Sequence, residues 1–280
     1  MFPERQVGPH RDWKREVEYL DSIFHNGAAY TIGKVNADHW LLYITDLDTS
    51  TFISPEIQIQ NPHPDYTIEI LMSGLSSKAC QSFFFSDPMD DSPSTRGSAI
   101  SEQIGISQIF PTSSTTLDAY AFQPCGYSSN ALIKFGPNGP VQEITNDLTQ
   151  RVHGEGYYTI HVTPEEEWSY ASFECNIPPS CSTFSHKFPD VKSLIKRVVN
   201  IFEPSRITLT LFMSSEDNDR ETVSPVDAAQ RAFKDALTKC ACLGKQDKMD
   251  EIWRVYQRTD KINYEFGGYD LAFASFELQK

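Results

Sequence analysis

The stretch Tyr157–Glu174, YYTIHVTPEEEWSYASFE, predicts two β-strands that meet at an acidic turn. His161 lies in the first strand, Glu165 lies at the turn, and Glu174 ends the second strand. A second stretch over 122–130, FQPCGYSSN, supplies an aromatic ring, a thiol and hydroxyl groups. We predict that the fold brings these two stretches together and that they carry the chemistry of the protein.

The rest of the chain alternates short strands with helices. We predict helices over 12–25, 76–85, 100–109, 191–202 and 226–239, and further strands over 28–35, 39–46, 65–72, 116–123, 127–134, 207–213, 252–258 and 269–276. Loops are predicted over 86–98 and 135–156. Hairpin-like neighbours and the lack of a Gly-rich phosphate loop argue against a Rossmann fold. The pattern indicates an α+β protein in which antiparallel sheets carry helices on their outer faces.

The composition limits the possible partners. The net charge of −14 and the pI near 4.9 argue against nucleic acid and suit a cationic ligand better. The sequence has neither an apolar run long enough to cross a bilayer nor a signal peptide at its start, so we expect a cytosolic protein without a membrane partner. Its six cysteines lack zinc-ligand spacing, so free thiols and no metal are expected.

Three residues of the two opening stretches have a structural and a functional interpretation. Ser128 is either a turn serine or a nucleophile, although GYSSN lacks the second glycine of the G-x-S-x-G hydrolase motif. His161 is either a packed strand residue or a base that exchanges protons near neutral pH. The Phe122 ring either fills the core or stacks on a base. The residues alone leave these alternatives open.

A polar stripe is predicted on the strand over 65–72. Asp65, Thr67 and Glu69 alternate with apolar residues and therefore share one face of the strand. That face either meets solvent or lies between two sheets. In the second case the carboxylates, together with Glu174, would need a cation such as a diamine to offset their desolvation.

Several motifs together resemble one family, the eukaryotic S-adenosylmethionine decarboxylases, and in particular its fungal members. The resemblance extends in the right order from about residue 3 to residue 276. The motifs that carry it are GPHRD (8–12), FHNGAAY (24–30), TIEILMS (67–73), FQPCGYS (122–128), TIHVTPE (159–165) and SFE (172–174).

The resemblance implies a four-layer αββα sandwich of two antiparallel sheets. It also implies the decarboxylation of S-adenosylmethionine for spermidine and spermine biosynthesis. The cofactor of this lyase family is a pyruvoyl group that self-cleavage makes from a serine in a Leu-Ser-Glu-Ser-Ser motif. Its carbonyl forms a Schiff base with the substrate amine and takes up electrons as CO2 leaves.

Site residues follow from the same resemblance. Ser128 and His161 match the pair that assists self-cleavage, with His161 as the base. Phe122 matches a ring that stacks on the adenine, and Glu165 matches the carboxylate that holds the ribose. The matched putrescine site, for a possible activator, consists of Asp65, Thr67, Glu69, Glu174, Phe212 and Tyr269. The resemblance thus favours the inter-sheet position for the polar stripe.

Other parts of the family pattern are absent from this sequence. It contains no Leu-Ser-Glu-Ser-Ser, and the proton-donor cysteine and the second adenine-stacking ring have no match. We therefore expect residues 1–280 to form one decarboxylase domain that lacks its N-terminal strands, is inactive and marginally stable alone, and pairs with the missing segment or forms a homodimer. The alternatives are a catalytically dead regulatory paralogue that binds an active decarboxylase and, with less support, a Ser–His hydrolase.

Overall fold

The computed structural model describes residues 6–36, 39–45, 65–85, 92–135, 154–178, 188–214, 224–238, 254–266 and 268–279. The chain divides into two compact units, residues 1–61 and 62–280. None of the helices in these ranges is long and apolar enough to cross a membrane. The two units are taken in turn.

The described part of the first unit, residues 6–36 and 39–45, contains an α-helix and an antiparallel pair of strands. After a 3-10 turn at Gly8–Arg11, helix α1 covers Trp13–Asp21, and strands β1 (Gly27–Gly33) and β2 (His39–Thr45) pair antiparallel. The Asp12 carboxylate caps α1 by accepting a hydrogen bond from the Arg15 N–H. This arrangement confirms the predicted helix and strand pair, although the helix ends four residues before the predicted residue 25.

The second unit is built on one eight-stranded antiparallel sheet. Its spatial order is β4-β5-β6-β7-β3-β8-β10-β9, so β3 lies in the interior of the sheet. The strands are β3 (Tyr66–Ser73), β4 (Thr115–Ala121), β5 (Tyr127–Phe135), β6 (Gly154–Thr163), β7 (Tyr170–Cys175), β8 (Arg206–Ser214), β9 (Tyr256–Phe266) and β10 (Tyr269–Leu278). The α+β class and the extensive antiparallel pairing confirm the prediction.

The apolar core lies on one face of this sheet, which we call the helix face. The helices of the second unit are α2 (Ser77–Gln81), α3 (Pro93–Gln103), α4 (Val191–Phe202) and α5 (Pro225–Leu237). Their buried side chains form a single cluster with alternate residues of the strands. On β3 these strand residues are Tyr66, Ile68, Ile70 and Met72. The predicted alternation of β3 is therefore confirmed.

Strand register defines the opposite face, which we call the polar face. Residues directly opposite each other in an antiparallel pair point to the same side of the sheet. One row of this face runs Tyr120, Ser128, His161, Ser172, Leu71, Thr208, and the next runs Asp118, Asn130, Thr159, Glu174, Glu69, Thr210. The candidate residues of the two opening stretches therefore lie in neighbouring rows.

Several further predicted elements differ from the structure in their bounds, and the helix predicted over 76–85 covers only Ser77–Gln81. The predicted loop over 86–98 contains the start of α3, because the Ser92 side chain caps the helix and Pro93 occupies its first turn. The predicted helix over 100–109 is interrupted after Gln103, since Gly105 adopts a positive φ before a 3-10 turn. Strand β9 begins at 256 rather than 252. Most of the predicted loop over 135–156 lies outside the described residues.

Candidate active site and acidic row on the polar face

A hydrogen-bonded serine–histidine pair lies at the β4 end of the sheet. Ser128 on β5 and His161 on β6 are directly opposite each other, and Ser128 Oγ lies 3.0 Å from His161 Nδ1. Ser128 is a strand residue, so its interpretation as a turn serine is wrong. It does not occupy the strand-to-helix elbow of a Ser–His hydrolase either. His161 is exposed and points away from the core, which makes its imidazole available for proton exchange.

The pair lines a cleft of about 390 Å³. Its walls come from the β4–β5 connection and from the end of β6, and they include Phe122, Cys125 and Glu165. The Phe122 ring is 51% exposed, so the interpretation of Phe122 as a core residue is wrong. The exposed ring can stack on a flat heterocycle. The neighbouring carboxylate can accept hydrogen bonds from hydroxyl groups.

The β4–β5 connection is fixed by backbone hydrogen bonds. The Phe122 N–H donates to the Gly126 carbonyl at 2.9 Å, and the Gly126 N–H donates to the Phe83 carbonyl at 3.0 Å. Gly126 has a φ of 114°, a conformation that favours glycine, and the Phe122 ring lies against it. The ring at the mouth of the cleft is therefore held by a rigid connection.

Cys125 is a cleft residue that the sequence prediction left among the free thiols. Burial raises the pKa of its thiol, and the nearby Glu165 carboxylate raises it further. The thiol therefore keeps its proton at neutral pH and is no thiolate nucleophile. Only the structure shows that Cys125 lies beside Glu165.

A pair of facing carboxylates lies in the next row of the polar face. Glu69 on β3 and Glu174 on β7 are directly opposite each other, and both are half-buried. Burial raises the pKa of Glu69, the hydrogen bond from Thr210 lowers it, and the charge of Glu174 raises it again. We call Glu69 and Glu174 the carboxylate pair.

Two hydroxyl groups that sequence reasoning missed bind this pair. The Tyr157 hydroxyl donates to Glu174 Oε1 at 2.6 Å, and the Thr210 hydroxyl donates to Glu69 Oε2 at 3.2 Å. Both contacts join different strands, so no local sequence signal could have identified them.

The remaining acidic candidate lies at the end of β3. The Tyr269 hydroxyl donates to Asp65 Oδ2 at 3.0 Å, and Thr67 lies directly opposite Phe212 on β8. The structure therefore brings together all six residues predicted for a cation site, over neighbouring rows of four strands. Asp65 is exposed, whereas Thr67 and Glu69 are half-buried.

Fold and site together define an α+β protein with helices on one face of an antiparallel sheet and a polar candidate site on the other. Residues 1–277 match the family model described as adenosylmethionine decarboxylase. The chain therefore belongs to the adenosylmethionine decarboxylase family.

Individual relatives agree with this assignment. The chain is similar to the S-adenosylmethionine decarboxylase proenzymes of Xenopus laevis (32% identity over 99% of this chain and 62% of the relative), Saccharomyces cerevisiae (29%, 100% and 63%) and Drosophila melanogaster (32%, 98% and 64%). It thus spans just over three-fifths of the length of these relatives. Its fold is similar to the crystal structure of the Trypanosoma brucei AdoMetDC-delta26 monomer, with a TM-score of 0.55, 20% identity and coverage of 100% of this chain and 81% of that one.

Proposed function

We propose that this chain contributes the Ser128–His161 half of an S-adenosylmethionine decarboxylase active site, which supplies decarboxylated S-adenosylmethionine for polyamine synthesis. The observation that carries the proposal is the 3.0 Å contact between Ser128 Oγ and His161 Nδ1 at the cleft lined by Phe122 and Glu165. These are the four positions that match the family's processing and substrate-binding residues. An imidazole nitrogen at hydrogen-bond distance from a hydroxyl suits general base chemistry.

The cleft suits the nucleoside end of the substrate. The exposed Phe122 ring offers a face to the adenine, and the Glu165 carboxylate can accept hydrogen bonds from the two ribose hydroxyls. The protonated Cys125 thiol also lines the cleft and adds no charge that would repel Glu165.

The family's pyruvoyl group supplies an electron sink for the loss of CO2. The residues present fit a role beside this group, because Ser128 and His161 lie at the cleft with their polar atoms on the polar face. The 280 residues contain no Leu-Ser-Glu-Ser-Ser, so a different polypeptide segment would supply the serine. In this proposal that segment carries strands that cover the polar face, as in a fungal-type four-layer sandwich, and this chain alone is inactive.

The carboxylate pair and the Asp65–Tyr269 contact form the proposed putrescine site. Half-buried carboxylates gain from a dication that offsets their desolvation and mutual repulsion. The aromatic rings of Phe212 and Tyr269 can contact the methylene groups of the diamine, and the chain's net charge of −14 favours its approach.

A regulatory role is the second candidate. This candidate is favoured because the chain lacks Leu-Ser-Glu-Ser-Ser and yet keeps the carboxylate pair. In this case the chain binds an active decarboxylase and changes its rate instead of completing an active site of its own.

Two measurements test the proposal. Calorimetry with 5′-methylthioadenosine is expected to show binding to the 280-residue chain. Phe122→Ala and Glu165→Gln should each weaken it about tenfold, since each removes one stacking or charge-assisted contact. Leu132→Ala, a truncation of an exposed side chain on the same face, is the matched control. Absence of binding to the unmodified chain would refute the nucleoside assignment.

Release of labelled CO2 from carboxyl-labelled S-adenosylmethionine tests the activity. We expect none from the chain alone, and release would overturn the statement that it is inactive alone. When the yeast decarboxylase is added, a change in the rate of that enzyme supports the regulatory role. An unchanged rate favours the half-site.

A further inference from the structure

The carboxylate pair is held by one hydroxyl donor on each side. Tyr157 lies on β6 two residues before Thr159, the direct partner of Glu174, and therefore reaches Glu174 diagonally across β6 and β7. Thr210 lies on β8 directly opposite Glu69 and is fully buried. The two donors thus approach the pair from opposite sides.

Each carboxylate has one oxygen engaged in this way. Tyr157 occupies Glu174 Oε1 and Thr210 occupies Glu69 Oε2. Among the residues that the structure describes, no further side chain donates a hydrogen bond to either carboxylate. Glu174 Oε2 and Glu69 Oε1 are therefore the oxygens that an ammonium group can engage.

The surroundings of the pair give no compensating positive charge within its row. On the β6 side the row continues with the neutral residues Thr159 and Asn130 and then with Asp118. On the β10 side Phe273 follows Thr210. Asp65 and Tyr269 lie further along the same face, and the Cys175 thiol lies behind the sheet on the helix face. The pKa of Glu69 is thus set by its burial, by the hydrogen bond from Thr210 and by the charge of Glu174.

The hydrogen bonds from Tyr157 and Thr210 to the carboxylate pair differ in length. The hydrogen bond to Glu174 raises the pKa of Tyr157 to about 12, so the phenol remains a donor throughout the physiological range. The bond is short at 2.6 Å, whereas the Thr210 bond to Glu69 is 3.2 Å long. Burial raises the pKa of Glu69, and the longer Thr210 bond lowers it only in part.

We propose that Tyr157 is a positioning residue that holds the Glu174 carboxylate oriented for one ammonium group of a bound diamine. The proposal rests on the proposed putrescine site and adds a residue to which neither the family motifs nor the sequence assigned a role. Tyr157 acts through Glu174 and does not itself contact the diamine. A carboxylate that loses a hydrogen-bond donor holds its charge less well, so removal of the Tyr157 hydroxyl should make diamine binding more sensitive to acidification.

Calorimetric titration of the 280-residue chain with putrescine between pH 5 and 8.5 tests this role. Tyr157→Phe is expected to weaken binding about tenfold at pH 7.5, because it removes one hydrogen bond to a charged group. The loss of affinity on acidification should also begin at a higher pH in this variant. A purely structural effect would lower the affinity equally at every pH. Tyr120→Phe, the same change in an exposed tyrosine on the same face, is the matched control.

Variants of the acidic residues separate the two proposals. If Glu69→Gln and Glu174→Gln leave putrescine binding unchanged, the proposed site is refuted. If Glu174→Gln abolishes binding while Tyr157→Phe changes neither the affinity nor its pH dependence, the site stands and the role of Tyr157 is refuted. Adding Tyr157→Phe to Glu174→Gln should have no further effect on any residual binding.

A spectroscopic measurement does not depend on the tyrosine variant. Ultraviolet titration of the tyrosines should show one fewer high-pKa phenol in Glu174→Gln than in the unmodified chain, because the acceptor has lost its charge. Identical titrations would contradict the inference even if Tyr157→Phe failed to fold.

Discussion

The two faces of β3 belong to one strand and yet differ in their burial and in the polarity of their side chains. The helix face presents four apolar side chains to a continuous core, whereas the polar face presents Thr67 and Glu69. Burial of the first set stabilises the fold by about 25 cal/mol per Å² of apolar surface. Half-burial of Glu69 costs free energy instead, as its raised pKa shows. The helix face therefore carries stability, and the polar face carries the candidate function.

The sharpest test of this contrast uses one substitution on both faces. Leu209 on β8 is fully buried on the helix face, whereas Leu132 on β5 is 66% exposed on the polar face. Leu209→Ala should lower the free energy of unfolding by about 2–5 kcal/mol, through lost burial and a new cavity. Leu132→Ala should change it by less than about 0.5 kcal/mol. Urea titration followed by circular dichroism measures both.

Equal losses in the two variants would contradict the assignment of the faces. A large loss from Leu132→Ala alone would show that another part of the chain covers the polar face in solution. The slope of the denaturation curve provides a check, because it should stay constant if only stability has changed.

A smaller change in the free energy of unfolding is expected from the residue that caps the N-terminus of α4. The Asp190 carboxylate caps α4 by accepting a hydrogen bond from the Ser193 N–H at 2.7 Å. Asp190→Ala should cost about 1 kcal/mol at pH 7, and Asp190→Asn much less, since asparagine also caps helices.

The pH dependence of this effect has a definite sign. The bond to Ser193 lowers the pKa of Asp190, so the carboxylate stabilises the fold above its ordinary pKa, and this contribution is lost as the pH falls through the lowered value. The difference between the unmodified chain and Asp190→Ala should therefore shrink below about pH 4. A difference that stays constant down to pH 2 would contradict a charge-dependent cap.

The sequence predicted local features of both faces well. The period of two over 65–72 placed alternate residues of β3 on opposite faces, because a strand alternates its side chains. The helix predicted over 191–202 rested on an equally local signal, and α4 has these bounds. Family motifs identified Ser128 and His161, and the structure brings their side chains into contact.

Contacts between strands that are distant in the chain could not be predicted in this way. Tyr157 and Thr210 meet the carboxylate pair only because the register of β6, β7, β3 and β8 aligns them, and register is a property of the whole sheet. The start of α3 was missed for a different reason. Its sequence, PSTRGSAISEQ, has weak helical periodicity, so Ser92 and Pro93 were the only signals.

The smallest predicted effect is an increase in stability, whereas most substitutions lower stability. Burial raises the pKa of Glu69, so folding favours its protonated form, and the resulting stability is lost as the pH rises through the raised pKa. Glutamine cannot ionise and still offers an oxygen to Thr210. Glu69→Gln should therefore raise the thermal midpoint at pH 7.5 by on the order of 2 °C, and the gain should vanish near pH 4.

Glu155→Gln, on the same face but exposed, is the control. Saturating putrescine should cancel the gain by compensating the charge of Glu69, and a gain unchanged by putrescine would separate the buried charge from the proposed diamine site.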